Sequence, residues 1–141
     1  MFRPTEAVVA ALTGLADLTA LDAALRNKRP DLTDVLLDVA ARHEELPPTV
    51  LAACVRAGCA RLGELHGGRS IELRVPPYAA VQLGFGGGPR HTRGTPPNVV
   101  ELSPETFLAL ATGRLDYPAA EVRASGAHAH EVAQAFPLTS R

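Results

Sequence analysis

The chain has 141 residues, with 14 basic against 15 acidic side chains and a formal net charge of −1. That length holds one domain with a core of its own, needing no metal or disulfide staple. The balanced charge excludes an overall field drawing the protein onto nucleic acid or an anionic bilayer, so no nucleic-acid partner is expected. Two cysteines, Cys54 and Cys59, fall on a predicted helix at a spacing that turns them apart, which suits neither a disulfide nor a C-x-x-C redox pair. The apolar start is broken by Thr13, Asp17 and Asp22. This pattern predicts neither a signal peptide nor a spanning helix, hence a cytoplasmic protein without stable membrane insertion.

In chain order, Val8, Val9, Leu12, Leu15, Leu18, Leu21 and Leu25 recur every three or four residues until Pro30 interrupts, and Gly14 and Asp17 can split this stretch into two helices. Asp31 or Thr33 can cap the next helix, where Leu32, Val35, Leu36, Val39 and His43 share a face; His43 reads as a boundary histidine with its polar needs met locally. Pro47-Pro48 ends that pattern and opens a longer helix, roughly 48 to 66, with Leu51, Cys54, Val55, Gly58, Leu62 and Leu65 on one stripe. The sequence His66-Gly67-Gly68 stops it.

The period then becomes two. Ile71, Leu73 and Val75 face one way, and Ser70, Glu72 and Arg74 the other. Past Pro76-Pro77, a strand from Tyr78 to Phe85 sets Ala79, Val81, Leu83 and Phe85 on one face. The run Gly86-Gly87-Gly88-Pro89 and a basic stretch through Pro97 form the longest irregular segment. Asn98 to Leu102 reads as a short strand, and Ser103-Pro104-Glu105 as a helix start with hydroxyl cap, proline in the first turn and a carboxylate at the positive dipole end. Phe107, Leu108, Leu110 and Ala111 give this helix its apolar side. Glu121 to Ser125 is predicted to be the last strand, with Val122 and Ala124 inward, followed by a helical turn or two at 130 to 136. Half-polar strands imply a mainly antiparallel sheet of about four or five strands covered on one face by helices, and the element order gives an α+β class. Residues 1–47 read as an N-terminal helical extension and 48–141 as the main domain.

Three segments in this order, RVPPYAAVQ at 74–82, RHTRGTPPNVVELSPETFLALATGRL at 90–115 and VRASG at 122–126, resemble the bacterial orthologue family of sterol carrier proteins. The resemblance covers about Gly67 to Leu138, with the helix at 48–66 as its opening element. It implies a curved, mainly antiparallel sheet with helices over one face, enclosing an apolar pocket for fatty acyl chains, acyl-coenzyme A or sterols. It also implies a carrier without established catalytic residues. A related domain forms the C-terminal part of mycothiol-dependent maleylpyruvate isomerases, whose metal chemistry belongs to a separate, longer helical domain. The chain departs from the family pattern between Leu115 and Val122, where relatives have a fuller helix and one pocket wall here is short.

On this reading the expected pocket is lined by Val81, Leu83, Phe85, Val100, Leu102, Phe107, Leu108 and Ala111, although periodicity alone fits a filled core equally well. Arg90, His91, Thr92 and Arg93, in a glycine- and proline-bounded loop, are the expected anion-binding group for a carboxylate or phosphate head, against a bland reading as a solvated basic loop. His128 and His130 lack a third nearby ligand, so no metal is expected, and no cofactor is implied. No nucleophile stands beside a base in the sequence, so no catalytic residue is assigned. The expected function is non-catalytic binding or carriage of a small amphiphile. The alternative is a protein–protein interaction or homodimerisation module, with the N-terminal helices as its surface.

Overall fold

The structure is a computed structural model and describes residues 1–86 and 97–139. Three helices open the chain: α1 (Glu6–Leu12), α2 (Leu18–Arg26) and α3 (Thr33–Arg42). The break between α1 and α2 falls at Gly14 and Asp17 because Asp17 caps α2, its carboxylate accepting from the amides of Thr19 and Ala20 at 2.9 and 3.1 Å. The first turn of α3 is held by Asp31, which accepts from Thr33 N and Thr33 Oγ1 and also from Phe2 N at 2.9 Å. Burial raises the Asp31 carboxyl, but these hydrogen bonds outweigh it and hold the group below its ordinary value. His43 ends α3 half-buried, its Nε2 3.3 Å from the Leu15 carbonyl.

Helix α4 (Pro48–His66) has proline in its first turn, as expected, but its burial is wider than one stripe. Val50, Ala53, Cys54, Ala57, Gly58 and Leu62 are among the buried residues because α1 and α3 pack on one side of α4 and the sheet on the other. Leu65, assigned to the stripe by its spacing, is instead 59% exposed at the helix end.

The sheet comprises β1 (Gly67–Val75), β2 (Ala79–Leu83), β3 (Asn98–Glu101) and β4 (Arg123–Ser125), in the order β2-β1-β3-β4. It is mainly antiparallel, as expected, but its central pair β1/β3 is parallel. Strand β2 ends beside the start of β1, and β3 begins there too, with Asn98 opposite Ile71. Alternation in sequence reports which face is covered, not which way a strand runs.

Ile71, Leu73, Val75, Leu83 and Val100 form the covered face, with α4 packed on β1 and β2 and a 3₁₀ helix at Ala129–Ala135 against β3, while helix α5 (Pro104–Ala111) packs on α4 and α3. The other face carries Glu72, Arg74, Glu101 and Arg123, with Arg74 paired to Glu72 and Arg123 3.7 Å from Glu101. The expectation that Ala124 points inward is corrected. All three residues of β4 are exposed, since this strand is a short outer edge. Val122, just before it, is half-buried.

One hydrophobic cluster runs through the described residues, joining Leu12, Leu21, Leu32 and Leu36 of the N-terminal helices to Cys54, Leu62, Leu73 and Phe107. The Arg114 guanidinium, donating to the α3 carbonyl of Ala40 at 3.2 Å, ties the end of the α5 region to the same helices.

Candidate functional site

Helix α5 is the element around which a site can be built. Ser103 caps it, accepting from Thr106 N at 3.1 Å, and Pro104 and Glu105 fill its first turn. Its apolar side is pressed so closely on α4 that a Cβ at Gly58 would lie 2.8 Å from Phe107 Cε2. Phe107 in turn meets Phe136 edge-on, with ring centroids 6.1 Å apart.

An opening lies at each end of α5. Beside its N-terminus is a groove of about 570 Å³ walled by Pro76, Leu102, Pro104, Thr106 and Val122, with the Glu101–Arg123 pair at its margin. This volume falls in the range of about 300–1,000 Å³ typical of small-molecule sites. The chain between Leu115 and Val122 makes only a 3₁₀ turn at Tyr117–Ala119, and Glu121 and Val122 just after it line the groove. At the C-terminal end, a smaller pocket of about 180 Å³ is lined by Leu110, Leu115, Tyr117, Phe136 and Pro137. Burial raises the Tyr117 phenol above its ordinary value.

Of the pocket residues expected from sequence, Leu83, Val100, Leu102, Phe107 and Leu108 lie together in the hydrophobic cluster, with Val81 and Phe85 half-buried against its margin. Ala111 is buried, and its carbonyl accepts from Leu138 N at 2.7 Å and Thr139 N at 3.2 Å. Only Leu102 of the eight lines the groove. Phe107 reaches the smaller pocket through Phe136. Phe85 instead stacks on His66, with centroids 5.2 Å apart. Arg90, His91, Thr92 and Arg93 lie outside the described residues.

Sequence reasoning missed Pro76, Thr106, Val122 and Tyr117 as groove or pocket lining. The short 116–121 segment was the signal that could have pointed to them. It also missed Asn98, a buried polar side chain that binds two backbone groups.

His128 pairs with Glu131 at 2.9 Å, and among the described residues no three His, Cys, Asp or Glu side chains gather as metal ligands. Among them, too, no helix is long and apolar enough to cross a membrane. Both cysteines are buried, and Cys54 Sγ donates to the Leu36 carbonyl at 3.3 Å. Burial pushes both thiols up from 9.0 to about 12. The unfolded chain therefore loses these protons from about pH 9 while the folded protein keeps them to about 12, so the stability the thiols contribute is complete below pH 9 and lost as pH rises through that window. Replacing both with alanine is expected to flatten the fall in stability between those limits, measured by urea unfolding across pH. The native thiols should react with a disulfide reagent on the order of a hundredfold more slowly than in urea.

The family model of the bacterial SCP ortholog matches residues 48–138, from the first turn of α4 to just past the last 3₁₀ helix. A comparison with curated proteins finds no match. The matched region is well over half of the 141 residues and contains the whole sheet, α5 and both openings. The chain belongs to the bacterial SCP ortholog family.

Proposed function

We propose that this protein binds or carries a lipid-like amphiphile, an acyl chain or a sterol-like molecule, without transforming it. The observation that carries the reading is family membership across the whole sheet-and-helix unit, a lipid-carrier type of scaffold. The groove beside α5 supports it. Pro76, Leu102, Pro104 and Val122 offer an apolar wall, and a tail seated there would abut the cluster formed by Leu83, Val100, Phe107 and Leu108. Val81, Phe85 and Ala111 are kept as proposed pocket residues from the sequence, but they do not line this groove. A carboxylate or phosphate head would have to draw Arg123 away from Glu101 at a margin that also carries Glu121, and Arg90, His91, Thr92 and Arg93 are kept from the sequence as the candidate anion-binding group.

Native mass spectrometry of protein taken directly from cells should show a co-purifying lipid, and a fluorescent fatty acid should bind and be displaced by unlabelled acyl chains. Val122→Glu places a carboxylate on the apolar wall and should weaken binding about tenfold or more without a large change in melting temperature. Replacing Arg90 and Arg93 with alanine should weaken a fatty acid more than the matching fatty alcohol. No co-purifying lipid together with no displacement would refute carriage. Unchanged affinity in Val122→Glu would place the ligand elsewhere.

A further inference from the structure

We infer that the N-terminal region carries a binding site for a small multivalent phosphate compound, formed where Arg3, Lys28 and Arg29 converge on one groove walled by Pro4 and Pro30. The groove has a volume of about 640 Å³ and lies outside the family-matched region, with Met1 completing its lining. Both sides are held by fixed backbone. On one side, Phe2 is anchored to the start of α3, its N–H donating to Asp31 and its carbonyl accepting from Leu32 N at 2.8 Å, while Thr5 caps α1. On the other, Asn27 Oδ1 accepts from Arg29 N at 3.1 Å, and Pro30, its own φ fixed, restricts Arg29 before it. Three exposed cationic side chains are thus presented around one concavity.

Their charges stand apart from those of five other arginines among the described residues. Arg26, Arg42, Arg61, Arg74 and Arg123 each pair with a carboxylate, whereas Arg3, Lys28 and Arg29 have no ion-pair partner among the described residues. Asp31, next to Pro30, keeps its negative charge while one of its oxygens serves Phe2 N, Thr33 N and Thr33 Oγ1, and Arg29 also borders a second groove lined by Asp31, Asp34 and Asp38, so the three cations face a partial counter-charge on that side. Three like charges held together in a protein of net charge −1 favour a ligand bearing several negative charges. Two guanidinium forks and one ammonium suit phosphate oxygens better than a lone carboxylate. The volume, within the range of about 300–1,000 Å³ usual for small-molecule sites, leaves room for an organic group attached to the phosphates.

The test uses the full chain with inorganic pyrophosphate as probe, followed by calorimetry and by backbone amide shifts. Pyrophosphate should bind more tightly than orthophosphate and lose affinity as salt rises, with the largest shifts around Arg3, Lys28 and Arg29. The triple variant Arg3→Gln, Lys28→Gln, Arg29→Gln should bind at least tenfold more weakly, while Arg26→Gln with Arg42→Gln should bind as the parent does. Arg29→Gln alone should fall between and provides the reading if the triple variant melts early. Pyrophosphate that fails to bind, or binds equally to the triple variant, overturns the site. So does association seen only with vesicles of phosphatidylglycerol or only with single-stranded DNA. Fatty-acid displacement should be unchanged in the triple variant, so failure here is separable from failure of the carrier reading.

Discussion

Gly126→Ala is expected to cost about 3 kcal/mol or more of stability, a large share of the roughly 5–15 kcal/mol available to a domain. Gly126 has φ +104°, a conformation that L side chains rarely adopt, and an added Cβ would collide with Asn98 Oδ1 and stand 2.7 Å from the Pro97 carbonyl. The space is closed because Asn98 works there as a clamp. It is 2% exposed, its Nδ2 donates to the Ser70 carbonyl at 2.9 Å, and its Oδ1 accepts from His128 N at 2.9 Å. One side chain thus joins the start of β3, the edge of β1 and the turn after β4. Asn98→Leu keeps a similar volume but strips both backbone groups of their partner, at about 1–3 kcal/mol each. Asn98→Asp preserves the acceptor for His128 N but turns an oxygen toward Ser70 O and buries a carboxylate, so it too should be damaging. Urea unfolding with an unchanged slope would measure all three. A loss below about 1 kcal/mol in Gly126→Ala would show that the turn relaxes and that the clamp is not rigid.

A chain beginning at Pro48 is expected to lose cooperative unfolding and to bind a hydrophobic dye, although the family match begins at that residue. The reason lies in α4, whose buried residues are spread around the helix because α1 and α3 cover one side of it. Removing those helices exposes that side, leaves the Cys54 thiol without the Leu36 carbonyl, and frees Arg114 from Ala40. Fully burying a large apolar side chain contributes about 1.5–3 kcal/mol, so losing cover over only a few exceeds what a small domain can spare. Leu36→Ala in the full chain is the milder version and should destabilise by about 2–5 kcal/mol. The same measurement bears on the extension as an interaction surface. Much of its apolar stripe is already spent on α4, so a well-folded, cooperatively unfolding 48–141 fragment would return that stripe to use between molecules.

Local chemistry explains why the elements were readable from residues. Asp17 and Ser103 are hydroxyl or carboxylate caps at their helix starts, Pro48 and Pro104 occupy first turns, and Ile71, Leu73 and Val75 alternate as a half-covered strand must. Each of these is an interaction over a few residues or a simple periodicity. The sequence by itself determined the helices, the first two strands, the α+β class and, through motif order, the family resemblance. Tertiary structure decided the parallel β1/β3 pair, the exposure of Ala124 and Leu65, the cover over the second side of α4, and the Asn98 clamp. It also decided where the openings lie: Leu102 meets Pro76 and Val122 at the groove, while Arg3 meets Lys28 and Arg29 at another. These features depend on groups distant in sequence being brought together by the fold, and neither period nor cap encodes that distance.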